Sequence, residues 1–185
     1  GIEGPPRSFG LYRDGNRIAS LPRPEGVTAA HAGATLGAAP YELIPGAWVL
    51  LIGASGGFRI AEAKAPKASR IRVLEPEPVL GGALLRGLGP SPAAADDPLV
   101  RLSDMSPLQV GTGGSHDIID VAPDFLDAAE ANASAMTVEA IAGYLHVLAP
   151  GGIVSLPASI RDFPVYALRL LATVEPYADN RRLRV

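Results

Sequence analysis

A glycine-rich turn followed by a carboxylate is the feature of this chain whose residue types and spacing suggest chemistry. The apolar run Trp48–Ile52 leads into the turn Gly53-Ala54-Ser55-Gly56-Gly57, and a second apolar run, residues 71–74, ends at Glu75, 22 positions after Gly53. Glycines let a strand-to-helix turn approach a ligand closely, and a carboxylate after the next strand accepts hydrogen bonds from ribose hydroxyls. The pattern therefore predicts a nucleoside site.

The turn departs from the dinucleotide-binding fingerprint. With G-x-G-x-x-G placed on Gly53, Ser55 and Phe58 replace the glycines that make room for a pyrophosphate and allow close helix packing. The looser G-x-G-x-G of methyltransferase-type domains fits better, because Gly53 and Gly57 are in place and Ser55 is its one departure. A turn that only connects a strand to a helix is the alternative interpretation, and the distance to Glu75 favours the ligand site.

Composition narrows the possible functions. A chain of 185 residues is long enough for one domain with a substantial core, and with 48% hydrophobic but only 5% aromatic residues that core must be mainly aliphatic. The net charge of −3, with scattered basic residues, argues against a nucleic-acid surface. The absence of cysteine excludes disulfides and thiolate chemistry, and the three histidines form no ligand-spaced pair, so no metal is expected.

Sequence patterns also bear on location. The apolar runs fall far short of the ~20 residues needed to cross a bilayer. The chain opens with no signal-peptide pattern. We therefore expect a cytoplasmic location, with any membrane association made through a partner or a missing segment.

The order of predicted elements indicates an α/β fold. Residues 1–40 are expected to form an N-terminal β-hairpin, turned at Asp14-Gly15, and a linker. One helix is expected over residues 29–43, at the junction with the second domain. Residues 41–185 then alternate between strands and helices, which is typical of a Rossmann-like, mostly parallel sheet with flanking helices. The strands are predicted at Trp48–Ile52, 71–74, 99–102, 117–121 and 153–156, and the helices at Phe58–Lys64, 79–88, 138–148 and 163–174.

Two segments in the second half carry a family resemblance. Residues 137–141 (TVEAI) and 148–154 (LAPGGIV) resemble the TVEAF and LxPGGIL segments of spermidine synthase-like proteins. The order of the Gly53 turn, Glu75-Pro76, Asp104 and residues 116–119 (HDII) is similar to the same family, as is a small β-segment ahead of the main domain. The resemblance covers roughly residues 9–175 and implies a divergent branch of the class I S-adenosylmethionine-dependent methyltransferase fold.

The resemblance also implies a ligand and its contacts. The ligand would be S-adenosylmethionine or its decarboxylated form, with Gly53, Ser55 and Gly57 facing the amino-acid or aminopropyl end. Glu75 would hold the ribose, and Asp104, after the third strand, would receive the adenine amino group. An aspartate that merely caps a local turn is the alternative interpretation of Asp104.

The catalytic residues of the resembled family are altered. Ala122 stands where the family has the aspartate that orients or deprotonates the attacking amine, and Asp120 and Asp124 flank it as the remaining catalytic candidates. Ala32 follows His31 where the family has a second amine-binding carboxylate. Since a polyamine needs carboxylates to replace its lost water, these changes predict poor or absent aminopropyl transfer.

Three classes of function therefore stay open. They are a transferase that uses a sulfonium nucleoside, a nucleoside-binding module without chemistry, and a pseudoenzyme that serves as an accessory subunit; a nicotinamide dehydrogenase is a distant fourth. A methyltransferase-type sheet has seven strands, whereas this sequence supplies five up to residue 156 and one short run at 181–185. We accordingly expect incomplete C-terminal strands, completed by a longer polypeptide, a protein partner or a second copy of the chain.

Overall fold

A computed structural model describes residues 7–110, 114–123, 134–158 and 164–180. The chain begins with an antiparallel hairpin formed by β1 (Ser8–Arg13) and β2 (Asn16–Pro22). Asp14 and Gly15 turn it with φ of 51° and 81°, the positive pair that a tight two-residue hairpin turn requires. The predicted hairpin is thus confirmed.

A parallel sheet of five strands follows the hairpin. Its strands are β3 (Trp48–Ile52), β4 (Arg70–Leu74), β5 (Val100–Ser103), β6 (His116–Val121) and β7 (Leu148–Ser155). They lie in the order β5-β4-β3-β6-β7, and every neighbouring pair is parallel. The strand order reverses between β3 and β6, and the crevice outside the carboxyl ends at such a point is where open α/β sheets bind ligands.

Helices cover both faces of this sheet, which confirms the predicted α/β class. They are α1 (Ala29–Gly33), α2 (Ala39–Leu43), α3 (Phe58–Lys64), α4 (Pro78–Arg86), α5 (Val138–His146) and α6 (Pro164–Val174). Alternate residues of β3 point to opposite faces, so Val49 and Leu51 pack with α3 and α4 whereas Leu50 and Ile52 pack with α5. No helix of the described ranges is both long and apolar enough to span a bilayer.

Several element boundaries differ from the sequence prediction. Residues 29–43 form two short helices, because Thr35 is extended (φ −81°, ψ 152°) and a 3₁₀ turn, Leu36–Ala38, follows it. Helix α4 ends at Arg86, since Gly87 has a φ of 74°. Helix α5 ends at His146 and strand β7 begins at Leu148, which pairs with His116, so the strand starts five residues earlier than the predicted 153. The predicted short run at 181–185 lies outside the described residues.

Candidate functional site

The glycine turn lies at the carboxyl end of β3 and leads directly into α3. Gly53, Ser55 and Gly57 have φ of 77°, 45° and 106°, all in the left-handed region. Glycine adopts this region freely, whereas Ser55 adopts it at a conformational cost, which is typical of functional turns. The Gly53 amide donates to the carbonyl of Leu74 over 2.8 Å and fixes the turn against the end of β4.

Glu75 and the glycine turn are in direct contact. The Glu75 side chain is buried, and its Oε2 accepts a hydrogen bond of 3.3 Å from the backbone N–H of Ala54, inside the turn. Its Oε1 accepts a second one, also 3.3 Å, from the backbone N–H of Glu77. These bonds set the carboxylate at the edge where the strands end, between the turn and the start of α4.

Asp104 lies at the same edge of the sheet but further along it. The glycine turn follows β3, Glu75 follows β4 and Asp104 follows β5, and β4 lies between the other two strands in the sheet. Glu75 therefore lies between the glycine turn and Asp104. The Asp104 side chain is exposed to solvent. An extended ligand with one end at the turn and its middle at Glu75 would direct its other end toward Asp104.

The hairpin packs on the turn through Gly56, a residue that the sequence patterns did not single out. A Cβ at Gly56 would lie 1.7 Å from the backbone oxygen of Ser20 in β2. Two contacts fasten the hairpin nearby: Ser91 Oγ donates to the carbonyl of Pro22 over 2.7 Å, and Arg13 forms an ion pair of 2.7 Å with Glu77. The second glycine of the turn, Gly56, is therefore required by the fold.

Asp120, one of the two catalytic candidates, is sealed in a polar network. Its side chain is 1% exposed, and its Oδ2 accepts a hydrogen bond of 2.6 Å from the Tyr41 hydroxyl and pairs with the Arg59 guanidinium. Arg59 Nη1 also donates to Glu62 Oε2 over 2.6 Å, and Thr35 donates to Glu62 Oε1 over the same distance. The other candidate, Asp124, lies outside the described residues.

The pairing of Asp120 in this network opposes a role for it as a free base. Burial raises the pKa of Asp120, while Arg59 and the hydrogen bonds from Tyr41, Arg59 and Ser155 act in the lowering direction. Burial raises the pKa of Tyr41 too, and Asp120 adds to that rise. Burial by itself lowers the pKa of Arg59, but its interactions with Tyr41, Asp120 and Glu62 outweigh burial and raise the pKa, so the guanidinium stays charged. A substrate would have to displace Arg59 and Tyr41 to reach this carboxylate.

Ala122 and Ala32, the two positions at which the resemblance implies a lost carboxylate, are both buried. Ala122 is fully buried, and its backbone N–H donates to the carbonyl of Ile52 over 2.8 Å, which extends the pairing of β6 with β3. Ala32 is 1% exposed on α1. Neither position offers a polar group to a ligand. Over the described ranges, the acidic and histidine side chains form no group of three or more that could hold a metal ion.

Solved structures with the same fold are S-adenosylmethionine-dependent methyltransferases. N-methyltransferase NodS from Bradyrhizobium japonicum WM9 is 19% identical, with a TM-score of 0.53 over 74% of this chain and 75% of its own. The SAH-bound Podospora anserina methyltransferase PaMTH1 is 15% identical, with a TM-score of 0.53 over 86% of this chain and 74% of its own. The ribosomal protein L11 methylase from Lactobacillus delbrueckii subsp. bulgaricus is 16% identical, with a TM-score of 0.52 over 77% and 67%.

These similarities establish the methyltransferase fold of the chain. No protein-family model and no curated protein matches the sequence. The narrower assignment to a spermidine synthase-like branch stays a prediction from the sequence segments that carry that resemblance.

Proposed function

We propose that this domain binds a sulfonium nucleoside, S-adenosylmethionine or its decarboxylated form, at the carboxyl ends of β3, β4 and β5. Gly53, Ser55 and Gly57 would face the amino-acid or aminopropyl end, Glu75 the ribose and Asp104 the adenine. The observation that carries the proposal is the buried Glu75 carboxylate, bonded to the Ala54 amide of the glycine turn. Solved structures with this fold that contain SAH give further support.

The chemistry that follows from such binding is alkyl transfer. A sulfonium nucleoside supplies a carbon activated for attack by the neighbouring positive charge. The contribution of the chain would be to orient the nucleoside through the turn, the ribose acid and the adenine acid, so that an acceptor approaches in line. Methyl transfer and aminopropyl transfer both fit this description, and the acceptor decides between them.

A second candidate function is an accessory role without turnover, in which the domain is a subunit of a larger assembly. It is favoured by one specific observation: Asp120, the described carboxylate nearest in sequence to Ala122, is buried and paired with Arg59 and Tyr41. A pseudoenzyme could keep the nucleoside site or lose it, so binding and turnover must be measured separately.

Ligand binding is tested by isothermal titration calorimetry with S-adenosylmethionine, decarboxylated S-adenosylmethionine, SAH and methylthioadenosine. We expect Glu75→Gln to weaken binding by about 1–3 kcal/mol, about 5- to 150-fold in Kd, because a charged acceptor is lost. Asp96→Asn is the matched control: this exposed carboxylate precedes β5, at the opposite edge of the sheet, and its loss should leave Kd unchanged. Wild-type protein that gives no heat with any of the four ligands would refute the proposal.

Turnover is tested with decarboxylated S-adenosylmethionine and putrescine. We expect a rate well below about 1 s⁻¹, the lower end of ordinary enzyme turnover, because Asp120 is paired and Ala122 carries no base. Asp120→Asn should leave any residual rate unchanged. A faster wild-type rate that Asp120→Asn abolishes would show that Asp120 leaves its ion pair during catalysis.

A further inference from the structure

The strongest unassigned feature of the molecule is a buried ion cluster made of Arg59, Glu62 and Asp120. The three residues are 7%, 9% and 1% exposed, and they come from α3 and from the carboxyl end of β6. That strand end borders the crevice at the point where the strand order reverses. The cluster therefore lies beside the region that an acceptor molecule would enter.

The carboxylates of Glu62 and Asp120 form an anionic site, called the cradle below, that already contains the Arg59 guanidinium. Its two carboxylates share one guanidinium, with Arg59 Nη1 on Glu62 and Nη2 on Asp120. Tyr41 and Thr35 donate neutral hydrogen bonds to the same carboxylates. Buried carboxylates need a compensating charge, and here it comes from within the chain.

The backbone at Gly37 covers one side of the cradle. Gly37, in the 3₁₀ turn between α1 and α2, lies so near that a Cβ on it would be 2.0 Å from Arg59 Nη1 and 2.8 Å from Glu62 Oε2. The backbone thus covers the ion pair directly, which leaves no room for a second cation beside the guanidinium.

We infer that Arg59 is a specificity-determining residue whose guanidinium occupies the cation site formed by Asp120 and Glu62 and so excludes amine acceptors from it. This inference rests on the proposed function for its meaning, because an acceptor matters only where a nucleoside donor binds. Its consequence concerns the substrate class: a cationic polyamine is not held by Asp120 and Glu62, so it is not the acceptor.

The test removes the Arg59 side chain and measures whether small cations added to the solution restore thermal stability. Arg59→Ala leaves two uncompensated buried carboxylates and should lower Tm by about 10 °C or more. Methylguanidinium and putrescine at millimolar concentration should then restore at least about a third of the loss, against sodium chloride at equal ionic strength. Wild-type protein should show no shift with either cation, since Arg59 fills the site.

The matched control removes charge on both sides. Arg59→Met combined with Glu62→Gln and Asp120→Asn lacks all three charges of the cluster, and it should fold without help and gain nothing from either cation, because neutral groups replace buried ions at little cost. Equal gains in the control and in Arg59→Ala would overturn the inference. So would stabilisation of wild-type protein by putrescine that Asp120→Asn removes.

Failure of Arg59→Ala to fold is itself informative. The refolding yield is then measured with methylguanidinium and with sodium at equal ionic strength: a several-fold higher yield with methylguanidinium supports the inference, and equal yields overturn it. Nucleoside calorimetry on wild-type protein separates the two claims. Absent nucleoside binding with cation rescue would refute the proposed function alone, whereas nucleoside binding without cation rescue would refute the role of Arg59 alone.

Discussion

Replacement of Gly56 by alanine tests how the hairpin and the glycine turn fit together. The new methyl carbon would lie 1.7 Å from the backbone oxygen of Ser20, where ordinary contacts are 3.4–4 Å, and Gly56 has a φ of 67°. Left-handed backbone costs an alanine about 1–2 kcal/mol. Displacement of the β2 backbone at Ser20 by the new methyl group adds about 1–3 kcal/mol, the usual cost of overpacking. The expected loss is about 2–5 kcal/mol of unfolding free energy.

Gly46→Ala separates the two contributions. Gly46 also has a positive φ, 76°, but nothing lies within 4 Å of its added Cβ, so only the backbone cost of about 1–2 kcal/mol applies. The assay is urea unfolding of wild type and both variants without ligand, with equal m-values as the check on two-state behaviour. If Gly56→Ala costs no more than Gly46→Ala, β2 does not pack on the turn and the structural role given to Gly56 is wrong.

Two further predictions concern buried polar groups. Gly37→Ala should lower the free energy of unfolding by about 1–3 kcal/mol, because its Cβ would lie 2.0 Å from Arg59 Nη1. Gly143→Ala on α5 is the control: nothing lies within 4 Å of its Cβ, so it should raise that free energy by up to about 1 kcal/mol. Equal effects of the two variants in urea unfolding would contradict the contact of Gly37 with Arg59. His116 is fully buried against Trp48, and burial lowers its pKa below the value of about 6.5 in an unfolded chain. The contribution of neutral His116 to stability is therefore present above about pH 6.5 and is lost as the pH falls toward the folded pKa. Relative to His116→Leu, wild-type protein should therefore lose up to about 1 kcal/mol between pH 6.5 and 5.5, and parallel stability curves for the two proteins would refute this.

Local sequence patterns predicted most of the architecture. Continuous apolar runs such as Trp48–Ile52 identify strands buried on both faces, and their alternation with helical segments gives a parallel sheet. The Asp14-Gly15 pair specifies the hairpin because few residues accept positive φ at both turn positions. That the glycine turn and Glu75 lie near each other follows from the predicted parallel sheet, because the carboxyl ends of parallel neighbours meet at one edge of the sheet.

Only the tertiary structure decided how the remaining polar residues are used. Asp120 pairs with Arg59, 61 positions away, and with Tyr41, 79 positions away, and nothing local marks either as its partner. Gly56 read as one more glycine of a ligand turn, yet its lack of a side chain makes room for a strand 36 positions earlier, at Ser20. A periodic pattern reports which face of an element is buried, but the choice of partner for a buried charge depends on which distant elements the folded sheet brings together.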